Sequence, residues 1–352
     1  MISDLKAFGL NSPYRSKRLM EQSIIARNLN LGGLIVLTEA GSNNYVHTPI
    51  LAALAGSNKV YAVTRDSIYG KASEIASFTY ALAEFCGVSE KIKVVTEKTY
   101  EIVKEADIIT NLGFVRPINA EMVGWMKDKA VIPLMFEAWE FRTGDVDLSA
   151  CYERGIPVIA TNEDAPGLEV FKFSGPLCIK MLFEAQIEVY KCKIIVISSD
   201  KFGEVIYQSL KSLGANVYLA KELRSNEVKC NLREIDAIVI SDYTSTDTFI
   251  GTDGQISVDE LKQLCPEVVI IQFAGKVNTS ELASQDIMFY PYRQVGAYRM
   301  GMTLADLGPK PIIDLHCAGL RVGEIFARGR LQGFSVNEIK DQFAKNPLFQ
   351  LI

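Results

Sequence analysis

The stretch from residue 191 to 221, KCKIIVISSDKFGEVIYQSLKSLGANVYLAK, constrains the fold more than any other part of the sequence. Its apolar run at 194–197 is typical of a buried parallel strand, residues 203–213 have helical spacing, and a second strand begins at Val217. These patterns predict a β-turn-α-β unit. Because such a unit needs a parallel sheet with helices packed on its faces, the stretch predicts an α/β domain.

The turn of this unit differs from the pattern G-x-G-x-x-G. In that pattern the first two glycines let a pyrophosphate approach backbone N–H groups at the helix start, and the third packs the helix closely on the strand. In this chain the six positions hold Ser198, Ser199, Asp200, Lys201, Phe202 and Gly203. Only the packing glycine is retained. The acidic residue expected about 20 positions further on is also missing, because the second strand runs into Ala220 and Lys221.

Two interpretations of this turn are open. Ser198, Ser199 and Asp200 are residue types that cap helix N-termini by accepting N–H hydrogen bonds, and a cap needs no ligand. Alternatively, the serines and the helix N–H groups bind NAD or NADP, with Gly203 packing the helix and Lys221 near a 2′-phosphate. The charge of Asp200 opposes a pyrophosphate, so glycine at positions 198 and 200 should raise dinucleotide affinity.

Alternating strand and helix patterns extend over most of the chain and predict two doubly wound parallel-sheet domains. Residues 1–170 with about 310–352 are predicted to form a flavodoxin-like substrate domain, and residues 190–300 a Rossmann-like nucleotide-binding domain. The apolar segment at 162–192 predicts a long helix after Pro166, interrupted or bent near Gly175-Pro176, and the segment at 295–333 predicts a second helical tract with a break at Gly308-Pro309. Both are predicted to cross between the two domains. Their apolar surfaces, near 168–190 and 295–325, also predict a homodimer.

Composition narrows the possible partners and location. The 37 basic and 42 acidic residues give a net charge of −5 without a Lys/Arg block, so a nucleic-acid partner is not expected. No apolar run approaches the roughly 18 residues that span a bilayer, and the N-terminal residues lack a signal-peptide pattern, so we predict a cytoplasmic protein without membrane association. The seven cysteines form no C-x-x-C pair, which favours neither disulfides nor a metal site.

Three segments between about residue 100 and residue 300 resemble one family in order and spacing. They are DVDLSACYERGIPVIATNEDAPGLEVF (145–171), EVVIIQFAGKVNTSEL (267–282) and IMFYPYRQVGAY (287–298). Their order resembles that of the D-isomer-specific 2-hydroxyacid dehydrogenases and, more distantly, S-adenosylhomocysteine hydrolase, which shares the two-domain plan. The resemblance implies a two-domain fold and an NAD(P)-dependent oxidoreductase that acts on a small hydroxy or oxo acid.

The residues that carry catalysis in that family are replaced in this chain. Where the family has an Arg that binds the substrate carboxylate, this chain has Gly275 followed by Lys276. Where it has the His that exchanges a proton, this chain has Tyr292 followed by Arg293, and the region of the family's Glu is shortened. The resemblance therefore implies Tyr292 as acid/base and Lys276 or Arg293 as the group that binds an anionic substrate.

A charged and aromatic loop follows the strand predicted at 129–136. Carboxyl ends of parallel strands line the ligand site of open α/β sheets, so we predict that Glu137, Trp139, Arg142 and Asn162 contact substrate in a cleft between the domains. The alternative function is a catalytically degenerate dehydrogenase scaffold that serves in ligand binding or as an assembly subunit. The two histidines, His47 and His316, are predicted to be a helix-start residue and a packed helix residue.

Overall fold

The computed structural model of the chain describes residues 2–343 and 347–352, without the side chains of residues 227, 230 and 231. It divides into two compact units. Unit 1 is Met1–Val170 with Gly308–Ile352, and unit 2 is Phe171–Leu307. No helix within the described ranges is long and apolar enough to cross a membrane.

The elements alternate as predicted. Those before residue 170 are α1 (Ile2–Ala7), α2 (Pro13–Ala26), β1 (Ile35–Glu39), α3 (His47–Leu54), β2 (Lys59–Val63), α4 (Ala72–Cys86), β3 (Ile92–Val95), α5 (Tyr100–Val103), β4 (Ile108–Ile109), α6 (Ala120–Trp125), β5 (Ile132–Pro133), α7 (Leu148–Glu153) and β6 (Val158–Thr161). Unit 2 holds α8 (Ser174–Glu184), β7 (Lys193–Ile197), α9 (Lys201–Ser212), β8 (Asn216–Ala220), α10 (Asn226–Asn231), β9 (Ala237–Ser241), β10 (Thr248–Ile250), α11 (Val258–Leu264), β11 (Val269–Ala274), β12 (Lys276–Val277), α12 (Thr279–Ser284), β13 (Phe289–Tyr290) and α13 (Leu304–Leu307). The chain then returns to unit 1 with α14 (Pro309–Leu331), α15 (Val336–Gln342) and β14 (Phe349–Leu351).

The unit 1 sheet is parallel except at one edge. Its strands follow the orders β3-β2-β1-β4 and β14-β6-β5, and a parallel bridge between Ile108 and Val131 joins the two sets. Strand β14 pairs antiparallel with β6. The order β3-β2-β1-β4-β5-β6 reverses direction between β1 and β4, which is where open α/β sheets bind ligands.

Helix α14 is buried along most of its length against this sheet. Two of its glycines lie directly on the strands: a Cβ at Gly323 would be 2.9 Å from side-chain atoms of Ile108 and Pro133, and one at Gly319 would overlap Met135. Since Met135 follows β5, the lower-numbered end of the helix lies toward the carboxyl ends of the strands. This direction places His316 at that edge of the sheet.

Unit 2 contains a five-stranded parallel sheet in the order β13-β11-β9-β7-β8, with a separate parallel pair β10-β12. Two doubly wound parallel sheets are therefore confirmed. Strand order refines the assignment, because the 3-2-1-4-5-6 order typical of dinucleotide-binding sheets occurs in unit 1, and the flavodoxin-type 2-1-3-4-5 order occurs in unit 2. The difference arises because the chain after β8 forms α10 instead of a third edge strand.

The two apolar tracts form shorter helices than the sequence predicts. The first contains only α8, because Gly167 (φ 78°) and Glu169 (φ 44°) have left-handed backbones that end any helix before it. The second has a short α13, and its long helix α14 begins only after Gly308 (φ 149°). The single long helix predicted after Pro166 is therefore wrong, whereas the break predicted at Gly308-Pro309 is present. The homodimer through these segments stays a prediction.

Candidate functional site

The turn after β7 is closed by the protein's own side chains. The Asp200 carboxylate caps α9, accepting the Phe202 N–H at 2.9 Å through Oδ1 and the Tyr243 N–H at 2.6 Å through Oδ2. Asp242 Oδ2 accepts both the N–H of Ser199, at 2.9 Å, and its hydroxyl, at 2.5 Å. Three of these four hydrogen bonds bind the turn to the segment that follows β9, and the fourth caps α9, so these polar groups of the turn are satisfied within unit 2.

The closed turn is acidic and largely buried. Burial raises the pKa of the Asp200 carboxyl and the nearby charge of Asp242 raises it further, whereas the hydrogen bonds from Tyr243 and Phe202 oppose the rise. Asp242 is 2% exposed. Carboxylates thus occupy the N-terminal end of α9, where a dinucleotide-binding turn receives the pyrophosphate.

Four residues were predicted to bind the cofactor, and the structure gives each a definite place. Ser198 is buried and donates its hydroxyl to the Ser241 carbonyl at 2.8 Å, while Ser199 bonds to Asp242 as described above. A Cβ at Gly203 would lie 2.5 Å from Ser198 Cβ, so this glycine permits close helix packing. Lys221 is exposed directly after β8, next to Ser198, whose N–H donates to the Ala220 carbonyl at 2.9 Å.

Lys276 lies in β12 and lines a cavity of about 270 Å³. The cavity is otherwise lined by Thr248, Gly251, Thr252, Asp253, Val277, Asn278, Glu281 and Gln294. The Glu281 carboxylate accepts hydrogen bonds from the Thr252 N–H (2.8 Å), the Thr252 hydroxyl (3.0 Å) and the Asn278 amide (2.6 Å). Lys276 Nζ is 3.5 Å from the Thr246 carbonyl, at the limit of a hydrogen bond. Its charge is therefore available to an anion in the cavity.

The other two predicted catalytic residues follow β13. Tyr292 is 66% exposed and packs edge-on against the rings of Phe289 and Tyr290. The Arg293 guanidinium donates to the Gly301 carbonyl at 2.8 Å, so it holds the following loop in place. Lys276 lines a cavity, whereas Arg293 has a partner within the protein.

Two of the four predicted substrate residues, Glu137 and Asn162, hydrogen-bond to the C-terminal residues, and Trp139 bonds to Glu137, so substrate contact by these residues stays a prediction. The side-chain amide of Asn162 donates to the Pro347 carbonyl, and its backbone N–H donates to Leu348 O at 2.8 Å. Glu137 is 1% exposed and accepts hydrogen bonds from the Trp139 indole and from Gln350 Nε2, the latter at 3.4 Å. These contacts anchor β14 beside β6, a structural role that the sequence did not predict.

The fourth predicted substrate residue, Arg142, lies in an acidic environment. Burial raises the pKa of the Glu140 carboxyl to about 7, and the Glu137 charge adds to this effect, whereas the backbone N–H of Glu137 and the charge of Arg142 oppose it. Arg142 Nε is buried and has no hydrogen-bond partner among the described residues. The guanidinium therefore compensates charge within unit 1, and its contact with a substrate stays a prediction.

His47 and His316 of unit 1 are far apart in the sequence but close together in the structure. His47 begins α3 and His316 lies in α14, and both imidazoles are almost completely buried. Burial lowers the pKa of His47 to about 4 and that of His316 to about 3, the latter also through the neighbouring His47. His316 Nδ1 is 2.6 Å from the Thr48 hydroxyl. Two neutral imidazoles therefore lie side by side at the carboxyl edge of the sheet.

A buried carboxyl group occupies the same edge. Glu39 ends β1, and its Oε2 accepts the Phe114 N–H at 3.0 Å. Burial raises the pKa of Glu39, whereas the hydrogen bonds from Phe114 and Gly113 and the charges of Arg116 and Arg65 oppose the rise. Sequence reasoning did not select Glu39. The sequence feature that could have pointed to Glu39 is its position at the end of the first predicted strand, two residues before Gly41.

Comparison with known proteins finds structures of similar fold but no similar sequence family. The sequence matches no protein-family model, and no curated protein is significantly similar to it. The pyruvate reductase of Chlamydomonas reinhardtii has a similar structure, with a TM-score of 0.51 at 12% identity over 87% of this chain and 99% of that chain.

Two dipicolinate synthase structures are also similar. The one from Bacillus halodurans has a TM-score of 0.49 at 11% identity over 85% of this chain and 98% of its own. The one from Bacillus subtilis has a TM-score of 0.49 at 14% identity over 90% of this chain and 99% of its own. The likeness to the pyruvate reductase shows that the two chains share a fold, and it agrees with the two-domain α/β fold that the sequence resemblance implied.

Proposed function

We propose that this chain is a dehydrogenase-fold protein that binds a small organic anion and does not use NAD or NADP for hydride transfer. One observation carries this proposal, namely that Asp200 and Asp242 fill the turn where the fold would hold a pyrophosphate. A bound diphosphate would have to displace both carboxylates or lie beside them in a poorly solvated region. Either arrangement is unfavourable, because like charges repel strongly where water is excluded.

The lysine cavity of unit 2 supports a small anion as the ligand. At about 270 Å³ it is smaller than the roughly 300–1,000 Å³ of typical ligand pockets, so it suits a ligand of a few heavy atoms. Lys276 supplies a positive charge, and the Glu281 carboxylate is already satisfied by three donors. A carboxylate next to Lys276 would gain a charge-assisted hydrogen bond.

An NAD(P)-dependent oxidoreductase of a small hydroxy or oxo acid is the second candidate. Its supports are the dehydrogenase fold and the exposed position of Tyr292, which leaves the phenol accessible to a substrate. In this alternative Tyr292 is the acid/base and Lys276 or Arg293 binds the substrate carboxylate. Lys221, exposed beside the turn, would then contact a 2′-phosphate.

We expect the wild-type chain to bind neither NAD nor NADP, because the carboxylates of Asp200 and Asp242 already occupy the turn. Thermal unfolding with each nucleotide at millimolar concentration tests this directly, since ligand at 100 times its Kd adds about 2.7 kcal/mol of stability. The Ser198→Gly/Asp200→Gly variant is the matched comparison. Binding by this variant alone would show that the turn is what excludes the nucleotide. Saturable binding by the wild type would support the oxidoreductase and reject our proposal.

Lys276→Met should weaken the binding of a small carboxylate, with glycolate, lactate and pyruvate as the probes for calorimetry. Loss of a charge-assisted hydrogen bond of at least 1.4 kcal/mol corresponds to about a tenfold increase in Kd. Lys221→Met removes an exposed lysine from the same unit and should leave the Kd unchanged. If Lys276→Met binds the probes as well as the wild type does, the cavity is not the anion site.

A further inference from the structure

We propose that the free edge of strand β8 is a docking site for an extended acidic segment of a partner protein. The segment adds a sixth strand to the five-stranded sheet of unit 2 and directs carboxylates toward Lys211 and Arg233. This interaction goes beyond the proposed function, because it uses neither the turn after β7 nor the cavity of Lys276.

Strand β8 has an unpaired edge. It ends the order β13-β11-β9-β7-β8, so within the described residues β7 is its one neighbour. The Asn216 N–H donates at 2.8 Å to the residue before β7, and the Ala220 carbonyl accepts an N–H at 2.9 Å from the residue after β7. Because backbone groups alternate along a strand, those of Val217 and Leu219 point away from β7. Such an edge is a template for pairing with another chain.

The two faces of β8 belong to different layers of unit 2. Leu219 faces helix α9, because a Cβ at Gly203 in that helix would lie 3.2 Å from Leu219 Cδ1. Tyr218 faces the other way and packs against the hydrophobic core that contains Leu223 and Leu232. Successive side chains of a strand added beside β8 would alternate between the same two layers.

A cavity of about 670 Å³ has walls from both layers. Tyr207 and Lys211 of α9 line one side, and Tyr218 and Arg233, the residue after Leu232, line the other. Because no strand lies beyond β8 in the described part of the chain, a cavity with walls on both faces lies alongside the free edge. A sheet of order 3-2-1-4-5-6 has its third strand at this place, where this chain forms α10 instead.

The cavity is cationic. Its positively charged lining residues are Lys193, Lys211 and Arg233. The acidic residue of the lining, Glu234, forms an ion pair with Lys193. Lys211 Nζ donates to the neutral Tyr207 hydroxyl at 3.2 Å, and neither Lys211 nor Arg233 has an ion pair with a residue that the structure describes. Two exposed positive charges thus remain for a partner.

This charge selects the occupant of the edge. Two copies of the chain that paired through β8 would bring their Lys211 and Arg233 side chains to one interface, where like charges repel. An acidic segment reverses the sign of that interaction. Two consecutive acidic residues on an added strand would direct one carboxylate to the layer of Lys211 and the other to the layer of Arg233. Backbone hydrogen bonds to Val217 and Leu219 supply affinity, and the charges supply specificity.

Calorimetric titration of the whole chain with the peptide TVEEVT, blocked at both ends, tests the site. We expect saturable binding, and the matched peptide TVQQVT should have a Kd higher by roughly tenfold or more, because it lacks both carboxylates. N-methylation of alternate amides of TVEEVT gives two further peptides. One set should lose binding and the other should keep it, since only every second N–H of an added strand faces β8.

Charge reversal on the protein tests the same contacts. Lys211→Glu and Arg233→Glu should each raise the Kd of TVEEVT by roughly tenfold or more, and both side chains are exposed, so the variants should fold. Lys93→Glu is the matched control, because Lys93 is exposed on β3, an edge strand of unit 1. It should leave the Kd unchanged. Lys276→Met should also leave it unchanged, which separates this site from the anion cavity.

Four results would overturn the proposal. The first is the absence of saturable binding of TVEEVT, and the second is equal binding of TVEEVT and TVQQVT. The third is an equal effect of the two sets of N-methylated amides, which would show that the peptide does not pair with the edge. The fourth is a homodimer in sedimentation that Lys211→Glu or Arg233→Glu dissociates, which would make a second copy of the chain the occupant.

Discussion

Lowering the pH from 7 to 5 should cost the wild-type chain about 2 kcal/mol more stability than it costs a His316→Gln variant. Burial lowers the pKa of His316 to about 3, whereas the unfolded chain has the ordinary value of about 6.5. Below pH 6.5 the unfolded chain takes up a proton that the folded chain cannot accept. Stability is therefore complete above pH 6.5 and falls progressively as the pH approaches the folded value.

Urea unfolding of both proteins at pH 7 and pH 5 measures this difference. The comparison with the variant is necessary, because Glu39 and Glu140 have raised pKa values and act in the opposite direction as the pH falls. His47→Gln is the matched second variant and should give a similar difference, since the pKa of His47 is about 4. An identical loss in wild type and variants would mean that the folded state accommodates charged imidazoles.

Asp242→Ala should reduce the free energy of unfolding by about 3 kcal/mol or more, because hydrogen bonds to charged groups contribute roughly 1.5–3 kcal/mol each. The carboxylate accepts four hydrogen bonds: two from Ser199, one from the Thr244 hydroxyl at 3.2 Å and one from the Ser245 N–H at 3.0 Å. It is 2% exposed, so water cannot readily replace it. Removal of the carboxylate leaves the backbone donors of Ser199 and Ser245 unsatisfied.

Denaturant unfolding of Asp242→Ala and of two comparison variants tests this prediction. Asp242→Asn keeps the shape and part of the acceptor capacity, so it should cost less than alanine. Asp247→Ala removes an exposed aspartate from the same loop and should change stability by less than about 0.5 kcal/mol. Equal effects of alanine at positions 242 and 247 would show that Asp242 does not hold the turn closed.

The pattern of elements could be predicted from the sequence because it depends on local composition. The apolar run in β7, the helical spacing of α9 and the second run in β8 are all present as predicted. Helix capping was one of the two interpretations of the turn, and Asp200 does cap α9 by accepting the Phe202 N–H. The helix end near Glu169 was missed, because a left-handed backbone is decided by neighbouring structure as well as by residue type, whereas the break at Gly308-Pro309 was predicted.

The candidate sites were only partly predictable. The replacement of the phosphate-binding glycines was visible from Ser198 and Asp200 alone. The sequence did not reveal that Asp242 completes the closed turn. Asp242 is 43 residues away from Ser199, and the two residues hydrogen-bond only because strands β7 and β9 are adjacent in the sheet. Similarly, Asn162 and Glu137 resembled ligand-facing residues, but the return of β14 to the sheet gives them backbone and side-chain partners.

The sequence by itself determined the α/β class, the alternating elements and the absence of two glycines from the turn after β7, because periodicity and glycine positions are local properties. Only the tertiary structure decided which polar groups meet. Thr48 and His316 are 268 residues apart, and their hydrogen bond depends on α14 returning to the first unit. Burial then lowers the pKa values of both histidines and leaves His47 Nε2 without a partner among the described residues, and burial is a property of the packed chain that no single segment contains.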